Sequence, residues 1–249
     1  MIIQASPSPL ENLLIVLGYW DKFLSGFIVT LWLYGWAILI GFFLGLFLAI
    51  IRQYGGWFFS RLSTAYIEFM RGTPLLMQIF LIYYVPLALS FPVGRWSYQV
   101  NFILAGRSIT IVLLNQQILA GIITLGLNSS AYQAEYFRGS FMSIGSGQMM
   151  AAQSLGMSRI SGIRNIILPQ ALRRVIPAWS NEAAYLPKYT VIVYFIGVAE
   201  VFFQVHSIVS DAAISLTTYI VVAIMFLILI SLISKLLEFV HHKTSIPGL

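Results

Sequence analysis

The chain has no cysteine among its 249 residues. That absence excludes a disulfide framework and thiolate metal sites. Histidine is scarce as well, with His206, His241 and His242 the only three. The pair at the tail reads as an interfacial cationic end. His206 alone supplies neither a metal-ligand cluster nor a catalytic set, so the expectation is no metal and no catalytic residue. Lysine occurs four times, preceded by Asp21, Pro187, Ser234 and His242 and never by glycine. A nucleotide P-loop needs Gly-Lys-Ser/Thr so that backbone amides and the lysine can cradle phosphates. No ATP hydrolysis is therefore expected of this chain, and it is not read as an enzyme. The first ten residues lack a basic stretch, so no cleavable signal peptide is expected.

Charge of both signs is also rare, at 9%, while 59% of residues are hydrophobic and the mean hydropathy is +0.88. A water-soluble core has no use for so much apolar surface, so the solvent is lipid. A spanning helix needs about 20 apolar residues, which leaves room for about five or six spans. The net charge of +6 does not indicate nucleic acid, because the basic residues are scattered between apolar runs. The expected fold is an all-α membrane protein with five transmembrane helices, at about 23–51, 62–90, 109–137, 176–198 and 214–238. Turns are expected at Arg52 to Gly56, at Phe91-Pro92-Val93-Gly94, over a long loop at 138–175, and along the polar run Glu200 to Asp211. Residues 8–20 read as an outer interfacial helix, too short and too acidic at the edges to span.

Lysine and arginine between spans set orientation. With the N-terminus outside and the C-terminus inside, Arg52, Arg61, Arg71, Arg138, Arg159, Arg164, Arg173, Arg174, Lys235 and Lys243 face the cytoplasm. Only Lys22, Arg95 and Arg107 fall outside, and Lys188 lies within a span. The same orientation puts the loop at 138–175 in the cytoplasm.

Polar residues inside spans are expensive and tend to be functional. Glu68 and Arg71 stand at i, i+3 just before Gly72-Thr73-Pro74, where the helix should break or kink. Glu135 and Arg138 repeat the Glu-x-x-Arg-Gly pattern after Thr124, Asn128 and Tyr132. Both pairs are read as self-satisfying salt bridges that orient helix ends, a structural or gating role shared with Pro74 and Pro187, in preference to substrate contact. The fourth segment carries Asn181, Glu182, Tyr185, Pro187, Lys188, Tyr189 and Thr190. Pro187 removes a backbone hydrogen bond, and a broken helix at depth is how transporters build binding sites. Lys188 needs an anionic partner, either a ligand carboxylate or another helix. In the first span Ala37, Gly41, Gly45 and Ala49 form a small-residue stripe, a helix seam either within the chain or between copies.

The stretch Gly147-Gln148-Met149-Met150-Ala151-Ala152-Gln153-Ser154-Leu155-Gly156, followed nine residues later by Ile166-Ile167-Leu168-Pro169, resembles the "EAA" loop of ATP-binding-cassette (ABC) importer permeases. Glu68-Phe69-Met70-Arg71-Gly72-Thr73-Pro74-Leu75-Leu76-Met77-Gln78 is similar to a signature of the polar amino acid uptake branch, the histidine/glutamine/arginine type. Leu127 to Gly139, Ile167 to Arg173, Pro177, Asn181-Glu182 and Ile196 to Glu200 continue the likeness. It covers about residues 24–238.

The resemblance implies a single transmembrane permease domain over 1–249, multi-pass in a prokaryotic cytoplasmic (inner) membrane. It implies a short cytoplasmic coupling helix between the third and fourth spans. Gly147, Gln148, Met150, Ala151, Ala152, Leu155 and Gly156 would meet a separate ATPase subunit. The implied partners are two ATPase subunits, an extracytoplasmic solute-binding protein, a second permease subunit (the same chain or a paralogue), an amino acid, and membrane lipid. The implied function is import of polar amino acids, with ATP and Mg on the ATPase and no cofactor on this chain. Asn128, Asn181, Glu182, Tyr185, Lys188, Tyr189 and Thr190 become substrate-contact candidates, with Lys188 toward an α-carboxylate. Two departures stand out: Met150 replaces the family's usual glutamate, and Tyr189 an aspartate that would suit a cationic side chain. An ion-coupled secondary carrier is the alternative; it would show a two-fold repeat of spans, and only the short Glu-x-x-Arg-Gly echo is present.

Overall fold

A computed structural model describes residues 8–90 and 96–244. In chain order the elements are α1 (Pro9–Leu17), α2 (Trp20–Tyr54), α3 (Trp57–Gly72), α4 (Leu75–Ala88), β1 (Tyr98–Leu104), β2 (Arg107–Leu114) and α5 (Gln116–Ser143). Then come α6 (Ser146–Ser154), α7 (Arg159–Gly162), a π-helical turn (Ile163–Ile167) and α8 (Leu168–Arg174). The last are α9 (Ile176–Tyr189), a 3₁₀ stretch (Thr190–Ile196), α10 (Val201–Ala212) and α11 (Ser215–Thr244). The expected turn at Phe91-Pro92-Val93-Gly94 and Arg95 lies outside the described residues.

Three expectations need correction. The fold is mostly helical but not all-α, because β1 and β2 pair antiparallel with Leu104 opposite Arg107. A helix from 109 was expected, yet β2 occupies its first turn and a half. The reason is period-two patterning: Ile109 and Ile111 are buried while Ser108 and Thr110 are exposed. Ala105 and Gly106, at φ 48° and 76°, give the two-residue hairpin turn whose twist matches paired strands. Asn115 then starts α5 by accepting from the Ile118 N–H at 2.8 Å. Second, the run from Glu200 to Asp211 is a helix, not a turn. The buried Glu200 side chain caps it, accepting from the Phe202 and Phe203 N–H groups at 2.8 and 3.0 Å. Third, Arg71 does not pair with Glu68, as described below.

Length and composition qualify α2 and Ser215–Lys243 of α11 as membrane crossings. The run Ile176–Ile196 with Val201–Ala212 makes a further candidate, bent by 59°. Along α11, Leu216, Leu227, Leu232 and Leu236 are exposed, as suits a helix bathed in lipid.

The chain forms two compact units. The first lies within Met1–Gly35, Leu76–Thr124 and Pro187–Leu229. Its core gathers Val16, Phe23, Val201, Val205, Ile208 and Val222. Gly26 lets α2 approach α10 closely, since a Cβ there would stand 2.9 Å from the Val201 Cα. Lys22 pairs with Asp211 at 2.6 Å, and Arg107 donates to the Gly18 carbonyl at 2.6 Å.

The second unit lies within Trp36–Leu75, Leu125–Leu186 and Ile230–Leu249. Its core is Ala49, Ile67, Ala131, Ala134, Phe137, Phe141, Ile144, Ile167, Ala171 and Val175. Here the small-residue stripe finds its partner. A Cβ on Gly41 would stand 2.2 Å from the Gln133 amide nitrogen, and one on Gly45 2.8 Å from the Ser130 carbonyl. Both glycines thus seat α2 against α5 within this chain, where dispersion at close range drives association in lipid.

Candidate functional site

Three local arrangements have chemical consequence. The first is the loop from α6 to α8. Gly156, at φ +80°, takes the left-handed conformation that ends α6 and turns the chain back. Its N–H donates to the Gln153 carbonyl at 2.9 Å. Ser158 then caps α7. Gly162 leaves room for α6 to fold over α7, a Cβ there meeting the Met149 sulfur at 3.0 Å and the Ala152 Cβ at 3.5 Å. Below this knob, Ser140 donates to the Ala171 carbonyl at 2.6 Å and Arg174 to the Ser143 carbonyl at 2.7 Å. These bonds clamp α8 to the end of α5. Pro169 brings no N–H to the carbonyl one turn back, and the π-helical turn lies across that point.

Of the residues expected to meet an ATPase, Gly147, Gln148, Met150, Ala151, Leu155 and Gly156 are exposed, whereas Ala152 is 1% exposed and packs inward. The Ala-Ala pair therefore divides: Ala151 faces out and Ala152 holds the knob together. Ile160, which the motif spacing did not single out, is 78% exposed beside Leu155 at 82% and Met150 at 60%. Three large apolar side chains on one small polar loop make a surface that water does not favour.

The second arrangement surrounds α9. Asn181, Tyr185, Lys188 and Tyr189 are exposed at helical spacing. Glu182 and Thr190 point elsewhere, both buried. The Ser129 hydroxyl donates to the Glu182 carboxylate at 2.6 Å, and the Gln133 amide donates to Ser129 at 3.0 Å. The Trp179 indole completes the chain by donating to the Gln133 carbonyl oxygen at 2.6 Å. Thr190 donates to the Pro187 carbonyl at 2.8 Å, just where α9 tightens into its 3₁₀ stretch.

Asn128 is likewise committed to structure. Thr73 is extended (φ −108°, ψ 144°), as a residue before proline prefers. Pro74 has no N–H for the Met70 carbonyl, and the Asn128 amide supplies the missing donor at 3.0 Å. The Tyr66 hydroxyl donates to the Leu127 carbonyl at 3.0 Å beside it. The break between α3 and α4 is thus satisfied from α5.

The third arrangement is ionic. Glu135 pairs with Arg52 and, at 2.9 Å, with Arg138, while Arg71 approaches to 3.7 Å. Arg71 also lies over the Tyr132 ring at 5.2 Å. Glu68 is exposed and takes part in no ion pair among the described residues. The expected Glu135–Arg138 pair is present, whereas Arg71 has crossed to the other helix. The sequence treated Arg52 as a turn marker, since nothing local ties it to a residue 83 positions on.

Long apolar helices, a bent helix pair and a proline-broken helix whose backbone is satisfied by a neighbour are features of a helical membrane protein. Residues 41–245 match the family of binding-protein-dependent transport system inner membrane components. The chain is 31% identical over 224 residues to the glutamine transport system permease protein GlnP of Escherichia coli (strain K12), covering 90% of this chain and 93% of that one. It is 35% identical over 219 residues to the probable amino-acid permease protein YxeN of Bacillus subtilis (strain 168), covering 88% and 89%. Among solved structures it is similar to an amino acid ABC transporter crystallised with histidines, with a TM-score of 0.77, 32% identity, and 92% and 97% covered. This chain belongs to the family of binding-protein-dependent transport system inner membrane components, which supply the membrane permease and are not themselves enzymes.

Proposed function

We propose that this chain is the permease subunit of an ABC importer for polar amino acids in a prokaryotic cytoplasmic membrane. As one transmembrane domain over 1–249, it crosses five times with the N-terminus outside and the C-terminus inside. The crossings are α2, the α3–α4 pair, α5, the bent pair α9–α10, and α11. The excess of arginine and lysine at the inner turns supports that orientation. The observation that carries the reading is the knob: Met150, Leu155 and Ile160 exposed on a loop clamped to α5 by Ser140 and Arg174. A separate ATPase subunit, holding ATP and Mg, docks there over the 147–169 loop, and its closure moves the clamped helices. Apolar contact through Met150 takes the place of the glutamate usual in the family.

Outside, a solute-binding protein delivers the amino acid. A second permease subunit, the same chain or a paralogue, faces the polar side of α9. Lys188 holds the α-carboxylate, with Asn181, Tyr185 and Tyr189 beside it. Glu182, Thr190 and Asn128 act behind them, shaping the helix and its break rather than touching solute. The similarity to glutamine and other amino acid permeases supports this substrate class.

Removal of residues 147–156 is expected to abolish ATP-driven uptake while leaving membrane insertion and abundance intact. Retained uptake in proteoliposomes containing the ATPase would refute the coupling role.

A further inference from the structure

The ionic cluster on α2, α3 and α5 has more cations than its carboxylate can satisfy. Glu135 faces Arg52, Arg138 and Arg71. Even with Glu68 counted, one turn before Arg71, the group keeps a positive excess. The side chains grade outward, from Arg52 at 19% exposed through Arg138 at 32% to Arg71 at 42%. Arg52 is thereby the inner, structural partner, and Arg71 and Arg138 form the accessible rim. Part of their donor capacity is spare, although Arg138 gives its Nε and one Nη to Glu135 at 2.9 Å. Arg138 directs one Nη at the thioether of Met142, 2.8 Å away, a weak acceptor. Arg71 stands 3.7 Å from Glu135, beyond a good hydrogen bond. The Tyr132 ring meanwhile holds the Arg71 guanidinium from one side.

We infer that Arg71 and Arg138 bind the phosphate of an anionic phospholipid headgroup. Guanidinium groups match phosphate oxygens with paired N–H donors, and basic pockets between membrane helices on the cytoplasmic side are suited to anionic headgroups. The long arginine stems reach from helix positions within the apolar layer to the headgroup level. The bound phosphate supplies acceptors for the Arg138 Nη that faces Met142 and for Arg71, which Glu135 reaches only at 3.7 Å. The site leans on the inward orientation proposed above only for which leaflet the lipid occupies.

The test uses the permease–ATPase complex in nanodiscs of phosphatidylcholine and phosphatidylglycerol in equal parts. Lipid retained through mild delipidation is counted by mass spectrometry. The wild type is expected to keep phosphatidylglycerol in preference to phosphatidylcholine. Arg71→Gln and Arg138→Gln each lower that retention about fivefold, Arg71→Lys keeps only part of it because an ammonium lacks the paired donors, and the exposed Arg61→Gln on the same helix leaves it unchanged. Should Arg71→Gln fail to assemble, Arg138→Gln gives the same reading. No preference in the wild type, or equal loss in Arg61→Gln, overturns the inference. So does binding of inorganic phosphate to the wild type without any lipid preference, which would assign the site to a soluble anion. Both leaflets of the disc are alike, so failure here leaves the importer reading, which rests on uptake, standing.

Discussion

The α6 knob and the exposed side of α9 are opposite departures from their surroundings. The knob belongs to a polar loop, yet it exposes Met150, Leu155 and Ile160. The α9 segment belongs to a candidate crossing, yet it exposes Asn181, Tyr185, Lys188 and Tyr189. Elsewhere the match is ordinary: α11 shows leucine and isoleucine outward along its length. Apolar side chains in water and polar ones in lipid both raise the free energy of an isolated subunit. Each surface therefore marks a place where something else belongs. On the proposed reading the knob meets the ATPase subunit, and α9 lines a hydrated path for a charged solute.

That contrast can be broken from either end. The largest effect is expected from placing charge on the knob. Leu155→Asp combined with Ile160→Asp should lower ATP-driven uptake by about thirtyfold, the loss typical of an interface centre. Membrane abundance, read by immunoblot, should not change. The mirror substitution removes charge from α9: Lys188→Ala should lower uptake about tenfold by deleting a charge-assisted contact. Unchanged uptake at normal abundance would return Lys188 to a structural ion pair.

A third prediction separates scaffold from surface. Asn128→Ala removes the amide that donates to the Met70 carbonyl and should destabilise the subunit by about 1–3 kcal/mol, seen as a lower melting temperature in detergent. If uptake instead falls with no change in melting, Asn128 touches solute after all. The smallest effect is expected for Met150→Glu, which restores the family's usual residue. An exposed charge contributes little, so uptake should stay within about fivefold of the wild type, and a large gain would show that the apolar contact is a defect.

Much of this is legible in the sequence, for identifiable reasons. Long apolar helices announce themselves because the bilayer demands them, and α2, α11 and the bent α9–α10 pair qualify by length and composition. Thr73-Pro74 announced a break because proline lacks a donor. Gly156 closes the loop motif, and its φ of +80° ends α6 because the left-handed turn favours glycine. What stayed hidden was long-range or weak in period. Strand β2 from Ile109 onward was absorbed into a hydrophobic segment, since a run rich in isoleucine, valine and leucine looks like the start of a helix; β1 fell between the expected spans. Glu200 read as part of a polar turn because a cap is defined by backbone geometry that the sequence only suggests. The partners of Gln133, Arg52 and Asn128 lie on other helices, at separations no local pattern encodes. The split of Ala151 outward and Ala152 inward needed Gly162, eleven residues from one and ten from the other.

The chain's lack of cysteine makes the most direct measurement simple. Leu155→Cys would be the sole thiol, and a membrane-impermeant maleimide reports which side of the membrane it faces and whether it is covered. The account predicts labelling in inverted vesicles, none in right-side-out vesicles, and strong protection when the ATPase subunit is added back. Labelling from the outside, or full labelling with the ATPase bound, would contradict it.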